Sequence, residues 1–185
     1  MEKIFSPHLT LAKNYWQAHL KPNDVAIDAT CGNGHDTLFL GGLCHVVGLD
    51  IQPEAIAKTS ALVPKAILHR MSHAQIDQIP LPYAPRLIVY NLGYLPGGDK
   101  SLTTKTASTL ESVQKGLALL AADGALSITC YPGHDEGLKE EEALLEWAKT
   151  LPSQQYSVCY HKWLNRSRSP SLLWITRTTQ RDLGE

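Results

Sequence analysis

The chain has 185 residues, 43% of them hydrophobic and 19% charged, with a formal net charge of −1. At about 150 residues per domain this length predicts a single domain over residues 1–185, able to bury about 70% of its unfolded surface. That balance excludes a disordered chain and leaves no case for nucleic-acid binding driven by bulk charge. In chain order, Leu9, Leu11, Ala12, Tyr15 and Trp16 recur at helical spacing and predict a helix over 9–20, stopped before Pro22. The apolar run 25–29 predicts a buried strand, and 35–40 a helix after a glycine turn. Residues 45–49 predict a second strand, and Pro53 opens a helix running to about 63. Short strands follow at 66–68 and, beyond a polar stretch with Pro80, Pro82 and Pro85, at 86–90. A glycine-rich loop over 93–99 leads to a long helix over 104–120, a strand over 124–130 and a helix over 136–149. Strands over 156–163 and 172–178 close the chain.

Alternation of apolar strands with helices predicts a doubly wound α/β sheet, mostly parallel and covered on both faces. The last two strands lack an intervening helix and should pair as an antiparallel hairpin at one edge. Cys31, Cys44, Cys130 and Cys159 form no CxxC pair and have no histidine at finger-like spacing, so neither a disulfide framework nor a structural zinc is expected. The amino-terminal segment, broken by Pro7 and His8, does not read as a signal peptide. No apolar run approaches the 18 residues of a membrane span. The expectation is a cytoplasmic protein with no membrane contact and no metal.

The densest chemistry lies in VAIDATCGNGHDTLFL. A strand ends at Asp28, Gly32 and Gly34 make a tight turn, and a helix begins near His35. Glycines allow positive φ and close approach of a ligand to the backbone, and the helix start adds free N–H donors. A dinucleotide fingerprint would carry a third glycine or alanine where Thr37 stands. Asp-x-x-x-Gly-x-Gly instead resembles the first motif of S-adenosylmethionine-dependent methyltransferases. The second strand ends VVGLDIQ, and the carboxylate of Asp50 can accept hydrogen bonds from both ribose hydroxyls of a nucleoside. Asp36 or Asn33 is expected to cap the helix, and His35 to line the donor pocket. Ser72 and His73 follow the third strand, where such enzymes contact adenine.

RLIVYNLGYLPGGDK places Asn91 at the carboxyl end of a strand, where ligands sit in open α/β sheets. Amine-methylating enzymes carry Asp/Asn-Pro-Pro-Tyr/Phe here, and Asn91 and Tyr94 keep the i, i+3 spacing with Leu92 and Gly93 between them. An amine nucleophile must shed a proton before its lone pair can attack. The Asn91 oxygen and the Leu92 carbonyl can accept the amine hydrogens and aim that pair. Tyr94 can stack on a base, and Gly97 and Gly98 let the loop close. His134, in Tyr131-Pro132-Gly133-His134, and Asp99 are the candidate bases. Cys31 reads as a small packing residue.

DATCGNGHDTLFL, GLDIQPEAI, NLGYLPGGDKSLTT and YPGHDEGLKEE together resemble the small bacterial family once labelled "putative rRNA methylase" (YtqB-like, MnmM-type), associated with tRNA 5-aminomethyl-2-thiouridine methylation. The likeness runs from about residue 27 to the end. It implies the class I methyltransferase fold, seven strands with a carboxyl-terminal hairpin. It implies S-adenosylmethionine as donor, S-adenosylhomocysteine (SAH) as product, and conversion of the wobble aminomethyl group to methylaminomethyl. It implies a tRNA anticodon arm as partner and a homodimer. By matching position, Asp28, Gly32, Gly34 and Asp50 hold the donor, joined by Thr30, Asn33, His35 and Asp36 from the turn. Ile51, Gln52, Ser72, His73, Asn91 and Gly93 complete that set, while Asn91, Tyr94 and the following loop face the acceptor.

Glu140, Glu141, Glu142 and Glu146 read as a solvated helix face. The tail carries Lys162, Arg166, Arg168, Arg177 and Arg181 with Trp163 and Trp174 interleaved, a pattern suited to gripping phosphates and stacking unpaired bases. Lys100 and Lys105 would extend that patch. Other acceptors for the same donor site are ribosomal RNA or a small amine. A noncatalytic nucleoside-binding module and a nicotinamide-dependent reductase are the readings from other classes.

Overall fold

The computed structural model describes residues 7–93 and 104–178, so the expectations for Tyr94, Gly97, Gly98, Asp99, Lys100 and Arg181 lie outside the described residues. Strands and helices alternate as β1 (Val25–Asp28), β2 (His45–Asp50), β3 (Ile67–Arg70), β4 (Leu87–Asn91) and β5 (Ala125–Cys130), with α1 (Pro7–His19) ahead of them. Between them run α2 (His35–Gly41), α3 (Pro53–Leu62) and α4 (Thr106–Leu119). After β5 come α5 (Asp135–Lys149), β6 (Tyr156–His161) and β7 (Ser171–Arg177). A 3₁₀ turn, His73–Gln78, occupies part of the polar stretch for which no element is expected.

The central strands are buried on both faces, which is why they read as unbroken apolar runs. Successive side chains point to opposite faces. Val25, Ile27, Ile88, Tyr90, Leu126 and Ile128 therefore join one core with Val113 and Leu117 of α4, Leu144 and Ala148 of α5, and Ile76 of the 3₁₀ turn. Ala26, Leu87, Val89 and Ala125 join the other with Ala12 and Trp16 of α1 and Leu40 of α2. The buried Trp16 indole donates to Ser127 Oγ at 2.8 Å, tying α1 to β5.

The strand order is β3-β2-β1-β4-β5-β7-β6. The first five strands are parallel. β7 runs antiparallel between β5 and β6. The expected hairpin thus lies at the sheet edge, with its second strand as the inner one. The direction of strand addition reverses between β1 and β4, which opens a crevice outside their carboxyl ends.

Several surface expectations are corrected by packing. Glu140 and Glu141 are each only 2% exposed. Glu140 accepts from Thr104 and Thr109, and Glu141 from Ser171 and, at 3.0 Å, Lys162 Nζ. Only Glu142 and Glu146 of that run lie on the surface. Lys162 is therefore engaged, and Arg177 donates to the Leu120 carbonyl at 2.9 Å. Trp174 stacks on Tyr15 at 5.0 Å and meets the His19 ring edge-on, so it joins α1 to the sheet rather than offering a face to a base. Trp163 is 41% exposed. The four cysteines are free thiols. Among the described residues no helix is long and apolar enough to cross a membrane, and no group of three or more His, Cys, Asp or Glu could hold a metal ion.

Candidate active site

A cavity of about 880 Å³ fills the crevice at the switch point, the size class of small-molecule and cofactor sites. Its floor is the turn after β1. Gly32 and Gly34 hold φ of 53° and 81°, where a side chain is strained. A Cβ on Gly34 would also come within 3.1 Å of the Thr59 backbone. Gly34 is buried beneath the turn, whereas Thr30, Gly32, Asn33, His35 and Asp36 line the cavity.

Asp28 stands behind the cavity, not in it. It is fully buried, accepts from Thr37 Oγ1 at 2.6 Å and from the Thr30 N–H at 3.2 Å, and so fastens the turn. Burial raises its pKa to about 7, with Asp36 and Asp50 nearby adding to the rise and the Thr37 and Thr30 hydrogen bonds opposing it. The helix after the turn has Gly34 as its N-cap and no side-chain cap. The expected caps are otherwise placed: Asn33 accepts from Lys58 Nζ at 3.2 Å, and Asp36 faces β4.

One end of the cavity is lined by Asp50, Ile51, Gln52, Ser72 and His73. The two Asp50 oxygens accept from the Gly32 and Gln52 N–H groups, each at 2.9 Å, which fixes the carboxylate at the rim. Ile51 is 53% exposed, an apolar surface beside an acidic one. Ser72 caps the 3₁₀ turn by accepting from the Ala74 N–H at 3.2 Å. His73 Nδ1 is buried without a hydrogen-bond partner, and burial lowers the ring's pKa.

The other end is built on the tip of β4. The Asn91 N–H donates to Thr30 Oγ1 at 2.8 Å, and its side-chain Nδ2 donates to Asp36 Oδ2 at 2.9 Å. Asp36 is held from behind by Lys13 at 3.5 Å. Asn91 Oδ1 is buried and accepts no hydrogen bond, and the Tyr131 hydroxyl lies beside the Asn91 side chain. Leu92 N–H donates to the Thr129 carbonyl at 3.0 Å. Gly93, at φ 110°, exchanges two bonds with Thr104: its N–H to Thr104 Oγ1 at 2.8 Å and its carbonyl from the Thr104 N–H at 2.9 Å. Lys105 and Arg168 line this end and are exposed; Arg166 is exposed but outside the lining.

His134 lines the cavity, but its Nδ1 accepts the Gly137 N–H at 3.0 Å and caps α5. A neutral ring with an accepting Nδ1 carries its proton on Nε2 and has no lone pair left for an amine proton. The expected base is therefore committed to the helix. Gly137 is required there, because a Cβ would stand 2.2 Å from the Tyr131 carbonyl. Sequence reasoning missed Met71, Thr104, Ser108, Tyr131 and Pro170 as lining residues. The sequence places Tyr131 just past β5, at the same sheet edge as Asn91, where a role is expected for His134 alone.

A nucleoside carrying a charged amino-acid-like tail fits this donor set. The glycine turn admits it, and Asp50 suits ribose hydroxyls.

The family model described as putative rRNA methylase matches residues 46–177. The chain is 33% identical over 181 residues to the Arabidopsis thaliana tRNA (mnm(5)s(2)U34)-methyltransferase, chloroplastic, covering 86% of this chain and 65% of that protein. It thus spans less than two thirds of that relative's length. Among solved structures it resembles a putative rRNA-methylase from Clostridium thermocellum, with 31% identity, TM-score 0.88, and 95% and 100% of the two chains covered. It also resembles a putative methyltransferase from Streptococcus mutans in complex with SAH, with 33% identity, TM-score 0.83, and 96% and 99% covered.

Proposed function

The chain belongs to the putative rRNA methylase family of methyltransferases, and we propose that it methylates the aminomethyl nitrogen of a wobble uridine in tRNA. The observation that carries this reading is Asn91 Oδ1. It is a buried acceptor without a hydrogen-bond partner, on a residue that lines the cavity and whose amide nitrogen is held by Asp36. An amine with two hydrogens to place suits that oxygen and the Leu92 carbonyl next to it. The plant relative's name points to the same acceptor.

S-adenosylmethionine, when bound, supplies a methyl group already activated on a sulfonium. The chain's part is alignment and dehydration, worth up to several kcal/mol in such displacements. The Gly32 turn and Asp50 hold the nucleoside end, Ser72 and His73 close over the base, and Asn91 with Leu92 aims the acceptor. Lys105 and Arg168 offer cations to flanking phosphates.

Purified protein with labelled S-adenosylmethionine, bulk tRNA and ribosomal RNA tests the assignment, with nucleoside mass spectrometry of the product. We expect label in tRNA as 5-methylaminomethyl-2-thiouridine. Label confined to ribosomal RNA or to small amines would overturn the wobble-uridine reading.

A further inference from the structure

Resting on the amine-methylating reading above, we propose that Tyr131 and His8 carry away the proton of the acceptor amine, Tyr131 touching the amine and His8 acting behind it. An alkyl amine resembling a lysine side chain titrates near 10.4 and is an ammonium at neutral pH. It has no lone pair until a proton leaves. His134 cannot take it while capping α5. Asp36 has both oxygens engaged, and an ordinary carboxylate lies about six pH units below such an amine.

Tyr131 lines the cavity beside Asn91. Its hydroxyl is 3.5 Å from His8 Nε2, and the two rings meet edge to face at 5.7 Å and 87°. Burial lowers the pKa of His8, so its ring is neutral near neutral pH, and burial raises that of Tyr131, so its hydroxyl keeps its proton. A hydroxyl donates one hydrogen and accepts others. Tyr131 can thus donate to His8 Nε2 while accepting an N–H of the substrate.

The step balances. The ammonium proton passes to the Tyr131 oxygen as the Tyr131 hydrogen passes to Nε2, leaving a free amine and a His8 imidazolium. The amine pair then forms the N–C bond, and the pair of the breaking C–S bond stays on sulfur. Among the described residues the charged groups around the pair are Asp36, which faces Tyr131, and Lys13, which is paired with Asp36. The Asp36 carboxylate helps keep the proton on the Tyr131 hydroxyl. His8 lies in the first turn of α1 and is half-buried, so its proton has a short way to solvent.

His8→Gln, Tyr131→Phe and the double variant test the path in the full chain, with SAH affinity as control. Wild-type turnover should stay level down through the ordinary histidine pKa of about 6.5 and fall only below it, because burial lowers that of His8. His8→Gln should lose at least tenfold at pH 7 and regain about tenfold per pH unit toward the amine's own pKa. Tyr131→Phe should behave likewise, the double variant no worse than either, and SAH affinity should move less than twofold. Independently of turnover, ¹⁵N NMR should find the neutral His8 ring protonated on Nδ1. A variant profile parallel to the wild type, additive losses, or an Nε2–H tautomer overturns the path alone. A wild-type protein that methylates no amine at any pH overturns the amine reading and the path with it.

Discussion

The side-chain amide of Asn91 donates to Asp36 at 2.9 Å, and that bond decides which end of the amide is left without a partner. An amide can turn by half a rotation at little cost. A carboxylate at its nitrogen disfavours the flipped amide, which would set oxygen against oxygen.

Asn91→Ala should therefore lower turnover on the amine acceptor by about 100-fold, the scale for removing one preorganised polar group from a reacting centre. SAH affinity should change by less than about threefold. Asp36→Asn, which lets the amide face either way, should cost about tenfold in turnover. Single-turnover methyl transfer and calorimetry with SAH measure the two quantities. Equal losses in both would remove Asn91 from the acceptor side.

The order of elements was legible because β1, β4 and β5 are apolar on two faces and glycine, proline or polar residues open α2, α3 and α5. The positions of Thr30, Gly32, Asp50 and Asn91 were legible because a strand end followed by a turn places them at one sheet edge. What the sequence hid depends on tertiary partners. Glu140 and Glu141 look like a charged run, but α4 and β7 bring hydroxyls and Lys162 to meet them. Trp174 looks like a stacking platform, but α1 covers it. His134 looks like a base, but the third residue of its own helix uses its lone pair. The 3₁₀ turn His73–Gln78 is too short to show a period; Ser112 Oγ and Lys115 Nζ of α4 hold it by its carbonyls, each at 2.7 Å.

Asp28 makes stability depend on pH. Its folded-state pKa is raised to about 7 from 3.8, so the folded chain keeps a proton that the unfolded chain releases. Its contribution is fully present below about pH 4 and is lost as pH rises through about 7, at about 1.4 kcal/mol per pH unit between those limits. Asp28→Asn cannot titrate. The difference in unfolding free energy between wild type and variant, from urea melts across this range, should slope in the variant's favour as pH rises. A level difference would place the charged form of Asp28 at no disadvantage in the fold.

Lys105 and Arg168 rim one cavity from two separate parts of the chain, the N-cap of α4 and the connection between β6 and β7. If both meet phosphates, each alanine variant should weaken tRNA binding without regard to sequence and reduce the slope of log affinity against log salt by about 1. SAH binding should be unchanged. Arg166, exposed but outside the lining, should give a smaller change. Anisotropy titrations over a range of salt concentrations read this directly, and unaltered slopes would confine RNA contact to other residues.

Thr104 links the acceptor end to the interior. Its hydroxyl accepts from the Gly93 N–H at 2.8 Å and donates to the buried Glu140 at 2.9 Å. Valine keeps the shape of threonine but loses both bonds, leaving Gly93 N–H and one Glu140 oxygen unmet. An unsatisfied buried polar group costs about 1–3 kcal/mol, and for a chain of this length each kcal/mol lowers Tm by about 2–4 °C. Thr104→Val should therefore melt several degrees lower. If Gly93 sets the backbone that follows Asn91, turnover should fall about tenfold beyond any loss of folded protein, with SAH affinity held. Thr104→Ser restores the hydroxyl and should restore turnover even where the lost methyl group keeps Tm low. Turnover that tracks Tm across the two variants would reduce Thr104 to a packing residue.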